Sequence, residues 1–109
     1  MADEETPILD ALAELTAVSV ARSSLEPREL MLARIAALAA VDAPAASYLF
    51  NASSAMEVGI TREDVQGILT AVAPIVGTPR VVAATGKIVM ALGFALDEAA
   101  AMADAPVAA

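Results

Sequence analysis

Five times along this chain, a residue suited to start a helix leads into Pro or an acid and then an apolar run. Thr6-Pro7, the Ser24 to Pro27 stretch, Asp42-Ala43-Pro44, Thr61-Arg62-Glu63-Asp64 and Gly77-Thr78-Pro79 all follow this form. A capping side chain accepts from an unpaired first-turn N–H, and Pro at the first helical position has no N–H to leave unpaired. Between these starts, Ala, Leu, Met, Glu and Arg dominate, and no stretch alternates apolar and polar residues over a strand's length. The expected fold is all-α, with five or six short helices and short loops.

The first helix is expected from Thr6-Pro7 to about Val20, with Ile8, Leu12, Leu15 and Val18/Ser19 along one face. A second is expected from Pro27 to Ala40, opened by Ser24 or Glu26, with Leu30, Leu32/Ala33, Ile35 and Leu38 on its apolar side. Asp42 is expected to cap a third helix that has Pro44 in its first turn and ends at Gly59 in the C′ role. Thr61 to Asp64 reads as a capping box, with Asp in the place usually held by Glu or Gln. The fourth helix then runs through Val65, Ile68, Leu69 and Val72, and Pro74 is expected to kink or end it near Ala73. A fifth, restarting at Pro79 and reaching Phe94, carries only Arg80 and Lys87 as charges and is expected to be buried on more than one side. A last helix is expected over about Leu96 to Met102. Met31, Met56 and Met90 fall at apolar helical positions and read as core or interface filler.

With 109 residues the chain is long enough for one small domain, spanning 1–109, with tails at 1–6 and 103–109. The formal net charge of -8 excludes phosphate-backbone binding and an anionic membrane surface as expectations. The longest uncharged run, Val65 to Pro79, is broken by Gly67, Pro74, Gly77 and Pro79, so no membrane span is expected. The start MADEETPILD lacks a basic region and does not read as a signal peptide, and the lack of cysteine suits a cytoplasmic protein. Cys and His are both absent, which removes thiol redox chemistry, Cys/His metal sites and imidazole acid–base catalysis. No metal and no cofactor are expected. An apolar content of 59% is high for so short a chain, whose own surface cannot hide it all, so association between copies is expected.

Four pieces in order resemble one family. Arg28-Glu29-Leu30 leads a helix, the small-residue turn Asp42-Ala43-Pro44 opens the next, Glu57-Val58-Gly59-Ile60-Thr61-Arg62-Glu63-Asp64 forms a Gly–capping-box joint, and Ala73-Pro74-Ile75-Val76-Gly77-Thr78-Pro79-Arg80 forms the joint after it. Together they resemble the carboxymuconolactone decarboxylase-like family, which includes alkylhydroperoxidase D, over about residues 25–95. The resemblance implies an alkylhydroperoxidase D-like helical subunit that assembles into a homotrimer or homohexamer. It also implies a reactive CxxC, a His four residues after the second Cys, and a Gly eight residues after that His. Counted back from Gly59, those positions hold Pro44, Ser47 and Asn51. A Glu in the preceding helix serves the proton relay in the peroxidase branch. Glu29 is its nearest match here, about three residues further from the CxxC position. A hydroxyl cannot cycle through a disulfide, and an amide cannot carry a proton near neutral pH.

Ser47 and Asn51 are four apart on one helix face, with Tyr48 beside them, and two readings stay open. They line a ligand site, or they bond to nearby backbone. Glu29 reads as a buried acid or as a first-turn surface charge. Arg34 reads as an anion clamp or as a partner across a subunit contact. Arg80 reads as a ligand contact or as an ion-pair partner. Lys87, in the most apolar helix, reads as a reactive amine or as a cation that snorkels or pairs with another subunit's acid. The expected function is a non-redox oligomeric binding or structural module that takes a small apolar or aromatic ligand through Ser47, Asn51, Arg34 and Arg80. The rival is an enzyme acting on a small unsaturated acid, lactone or quinone-like compound through Glu29, Tyr48, Arg34 or Arg80.

Overall fold

The computed structural model describes residues 6–93. The acidic start at 1–5, Phe94, the helix expected over Leu96–Met102 and the tail 103–109 lie outside the described residues. Among these residues the fold is all-helical: α1 (Pro7–Arg22), α2 (Pro27–Ala40), α3 (Ala45–Phe50), α4 (Ala52–Glu57), α5 (Arg62–Val76) and α6 (Thr78–Ile88), followed by a π-helical turn at Val89–Gly93.

The helix starts follow local chemistry. At α2, the Glu29 carboxylate accepts from the Glu26 N–H at 3.1 Å. At α5, Asp64 N–H donates to Thr61 Oγ1 at 3.1 Å and Thr61 N–H donates to Asp64 Oδ2 at 2.9 Å, a reciprocal capping box with Asp at its fourth position. Pro74 sits inside α5, which continues to Val76 rather than ending near Ala73. Gly77, at φ +95°, then turns the chain directly into α6.

The joint between α2 and α3 departs from expectation. Asp42 does not cap the third helix; Pro44 holds that position. Asp42 instead lies at φ +54°, one place beyond the C-cap of α2. Its N–H donates to the Ala39 carbonyl and the Ala43 N–H donates to the Leu38 carbonyl, at 3.3 and 3.0 Å. This is a Schellman closure with Asp where Gly is usual, a left-handed position that Asp tolerates better than most side chains. Gly59 closes α4 in the same way, with Ile60 N–H on the Ala55 carbonyl at 2.9 Å and Gly59 N–H on Met56 at 3.1 Å.

α2 is the central helix. It buries Leu30, Met31, Ile35 and Ala39 and packs on α5, α6 and the short α3 and α4. Tyr48, Ile35 and Leu92 are the largest fully buried side chains, with Ala55, Ile60, Val65, Ile68, Leu69, Ala84 and Ile88 around them. The outer helices are another matter. α1 buries no residue, and Ile8, Leu12, Leu15 and Val18 are all at least half exposed. α6 buries Ala84 and Ile88 but leaves Val82 exposed, as are Val89 and Met90 in the turn beyond it, so it is covered on one side only. The expectation of burial on several sides is not met within the single chain, although α6 packs on α2, α3 and α5. Met31 is core, whereas Met56 and Met90 are exposed.

Candidate functional site

The helix expected as one piece from Pro44 to Gly59 is two. α3 and α4 meet at Asn51, whose backbone sits at φ -99°, ψ 0°, and whose carboxamide Nδ2 donates to the Ser47 carbonyl at 2.8 Å. The side chain thus satisfies a helix-end carbonyl that the interrupted α3 leaves unpaired. Asn51 and Ser47 do share a face, but the link runs through the Ser47 backbone.

Beside this break, a cleft of about 290 Å³ opens between α1 and α2, lined by Leu15, Thr16, Ser19, Arg34, Ala37, Leu38 and Asn51. Arg34 spans it. Its Nη2 donates to the Ser19 hydroxyl at 3.1 Å and to the Thr16 carbonyl at 3.4 Å. Arg34 therefore bonds within its own chain, and among the described residues none of its partners is a carboxylate. Of the four residues read as ligand-binding, Arg34 and Asn51 line the cleft together. The contribution of α1 escaped sequence reasoning, because Leu15, Thr16 and Ser19 carry no signal beyond helical spacing.

The remaining candidates lie elsewhere. Glu29 is exposed and engaged in closing the first turn of α2. Tyr48 is buried, and among the described residues its hydroxyl has no hydrogen-bond partner. Burial, aided by the nearby Asp42 carboxylate, pushes the phenol above its ordinary value, so it stays protonated and is a poor base. Arg80 donates to the Ala40 carbonyl at 2.7 Å, at the C-terminal end of α2, instead of pairing with an acid. Lys87 pairs with Asp42 of its own chain at 2.7 Å. Arg28 pairs with Asp64 at 2.6 Å, tying the start of α2 to the start of α5.

A second groove, of about 340 Å³, lies between α5 and the α6–π-turn segment. Val65, Leu69, Ile88 and Val89 form its apolar lining, with Arg62, Gln66 and Thr85 as polar members. No sequence motif marked it. Among the described residues, no helix is long and apolar enough to cross a membrane.

No curated protein and no solved structure matches the chain. A family model does match, over residues 7–87, from the first turn of α1 to the last turn of α6. With its all-helical architecture and its Gly–capping-box joint at Gly59–Asp64, the chain belongs to the carboxymuconolactone decarboxylase family.

Proposed function

We propose that this protein is a non-redox, homo-oligomeric binding module of its family, whose α1–α2 cleft takes a small apolar or aromatic ligand. One observation carries the reading: Asn51, at the position where the resemblance implies His, gives one carboxamide N–H to the Ser47 carbonyl beside a cleft with an apolar wall and one guanidinium. That arrangement orients a ligand and moves no proton. The absence of Cys and His from the whole sequence supports it. Catalysis through Glu29 or Tyr48 is disfavoured, since Glu29 serves as a helix cap and the Tyr48 hydroxyl is buried away from the cleft.

Assembly into a trimer or hexamer is supported by α1, which exposes six large apolar side chains from Ile8 to Val20 and buries none. A helix of this length is marginal in water without packing on one face. The composition suits a cytoplasmic setting. The test has two parts. Light scattering on the 11.0 kDa chain should give about three or six times the monomer mass, and a monomer at micromolar concentration refutes the assembly. Titration with small aromatic compounds should raise the melting temperature, and the Asn51→Ala and Leu38→Arg variants should lose that response. Turnover of carboxymuconolactone or of a hydroperoxide would overturn the non-redox binding reading in favour of an enzyme.

A further inference from the structure

Arg34 does two jobs with one guanidinium. It is the cation of the cleft, and its Nη2 donates to both Thr16 and Ser19 of α1, tying α1 to α2. No buried side chain of α1 backs those bonds. Both acceptors are neutral, and one contact is long at 3.4 Å.

Two of the other cations meet a carboxylate, while Arg80, like Arg34, donates to a neutral carbonyl. Arg28 is matched with Asp64 and Lys87 with Asp42. Among the described residues, no acidic side chain lines the Arg34 cleft. A carboxylate offers the planar fork two charged oxygens, a shorter and stronger pairing than a hydroxyl and a long carbonyl contact. Leu15, Ala37 and Leu38 offer the adjoining wall to an apolar body. The volume, about 290 Å³, sits at the lower edge of small-molecule sites.

We propose that the cleft selects small monocarboxylates with a compact apolar body, and that the bound carboxylate draws Arg34 away from Thr16 and Ser19 and so releases α1 from the helical body. The inference rests on the cleft-binding reading above and adds the ligand's charge and its consequence for α1. Because α1 carries the exposed apolar stripe, its release couples ligand occupancy to the surface that a second copy would cover.

The experiment is hydrogen exchange followed by mass spectrometry on the full chain. Benzoate is the probe and benzyl alcohol its neutral counterpart, with calorimetry to measure binding. Benzoate should speed exchange across α1 by roughly tenfold, the scale of losing one or two net hydrogen bonds, and leave α5 unchanged. Arg34→Gln should exchange α1 fast without ligand and ignore benzoate. Ser19→Ala removes one tether and keeps the cation, so it should raise basal α1 exchange and still bind benzoate. Benzoate that binds yet slows α1 exchange, or leaves it unchanged, overturns the release. Equal binding of benzyl alcohol and benzoate overturns the charge selection and leaves the cleft-binding reading standing. Failure of both probes to bind overturns the two readings together.

Discussion

Lys87 Nζ lies 2.7 Å from the Asp42 carboxylate and 3.5 Å from the Asp42 carbonyl, closing a separation of 45 positions. Asp42 is held at φ +54°, where Asp is tolerated and most side chains are strained. The Lys87 ammonium, chiefly through this hydrogen bond, holds the Asp42 carboxyl below its ordinary 3.8. A depressed carboxylate stabilises the fold above its unfolded value and loses that contribution as pH falls through the folded one. The melting temperature should therefore decline as pH drops below about 3.8, and Lys87→Met should flatten part of that decline. Thermal melts from pH 6 to pH 2 check it; identical slopes in both proteins would contradict the role given to Lys87.

Asp64 adds to the same acid limb. The Thr61 backbone N–H, then Arg28, holds its carboxyl below 3.8, so its contribution too is present above that range and lost below it. Thr61→Ala removes the side-chain acceptor for the Asp64 N–H and should cost about 1 kcal/mol at pH 7, read from urea unfolding.

Glycine substitutions should split in sign. Gly77 and Gly59 have φ of +95° and +76°, so Ala at either should destabilise by about 1–2 kcal/mol. Gly67 lies inside α5 with open space where a Cβ would stand, and Ala there should stabilise by about 0.5–1 kcal/mol. Calorimetric melts of the three variants settle the ordering.

Tyr48→Phe removes a buried hydroxyl that has no partner among the described residues. Leaving such a group unsatisfied costs about 1–3 kcal/mol, so the variant should melt at or above the wild-type temperature. A clear fall would show that assembly supplies the hydroxyl with an acceptor.

Leu12→Glu on α1 should lower the mass seen by light scattering and leave far-UV helicity of the core helices in place, because Leu12 is half exposed in the single chain. Ile35→Ala, at the fully buried centre of α2, should instead cost about 2–5 kcal/mol at any protein concentration. A Leu12→Glu protein of unchanged mass would remove α1 from the interface.

The helix starts were legible because the chemistry that makes them is local. Thr61 and Asp64 are three apart, and Pro27 and Gly59 each carry their meaning in their own backbone. What stayed hidden depended on distant partners or on geometry with no residue signature. Asp42 looked like an N-cap because Asp often is one, and nothing near it in sequence announces Lys87 or a left-handed closure. The break at Asn51 was missed because Ala, Ser and Leu on both sides are all compatible with an unbroken helix. For the cleft, Arg34 and Asn51 were visible as polar residues in apolar surroundings. Their meeting across α1 was not, since Leu15, Thr16 and Ser19 look like any helix surface.

The end of α2 is gripped by Arg80 on the Ala40 carbonyl and by Lys87 on both the carbonyl and carboxylate of Asp42. The Arg80 grip is on main chain, which every amino acid supplies. Position 40 is thus free to drift in sequence without breaking that clasp, and position 80 is not: mutational tolerance is lopsided across one contact, with the constraint carried wholly by the donor.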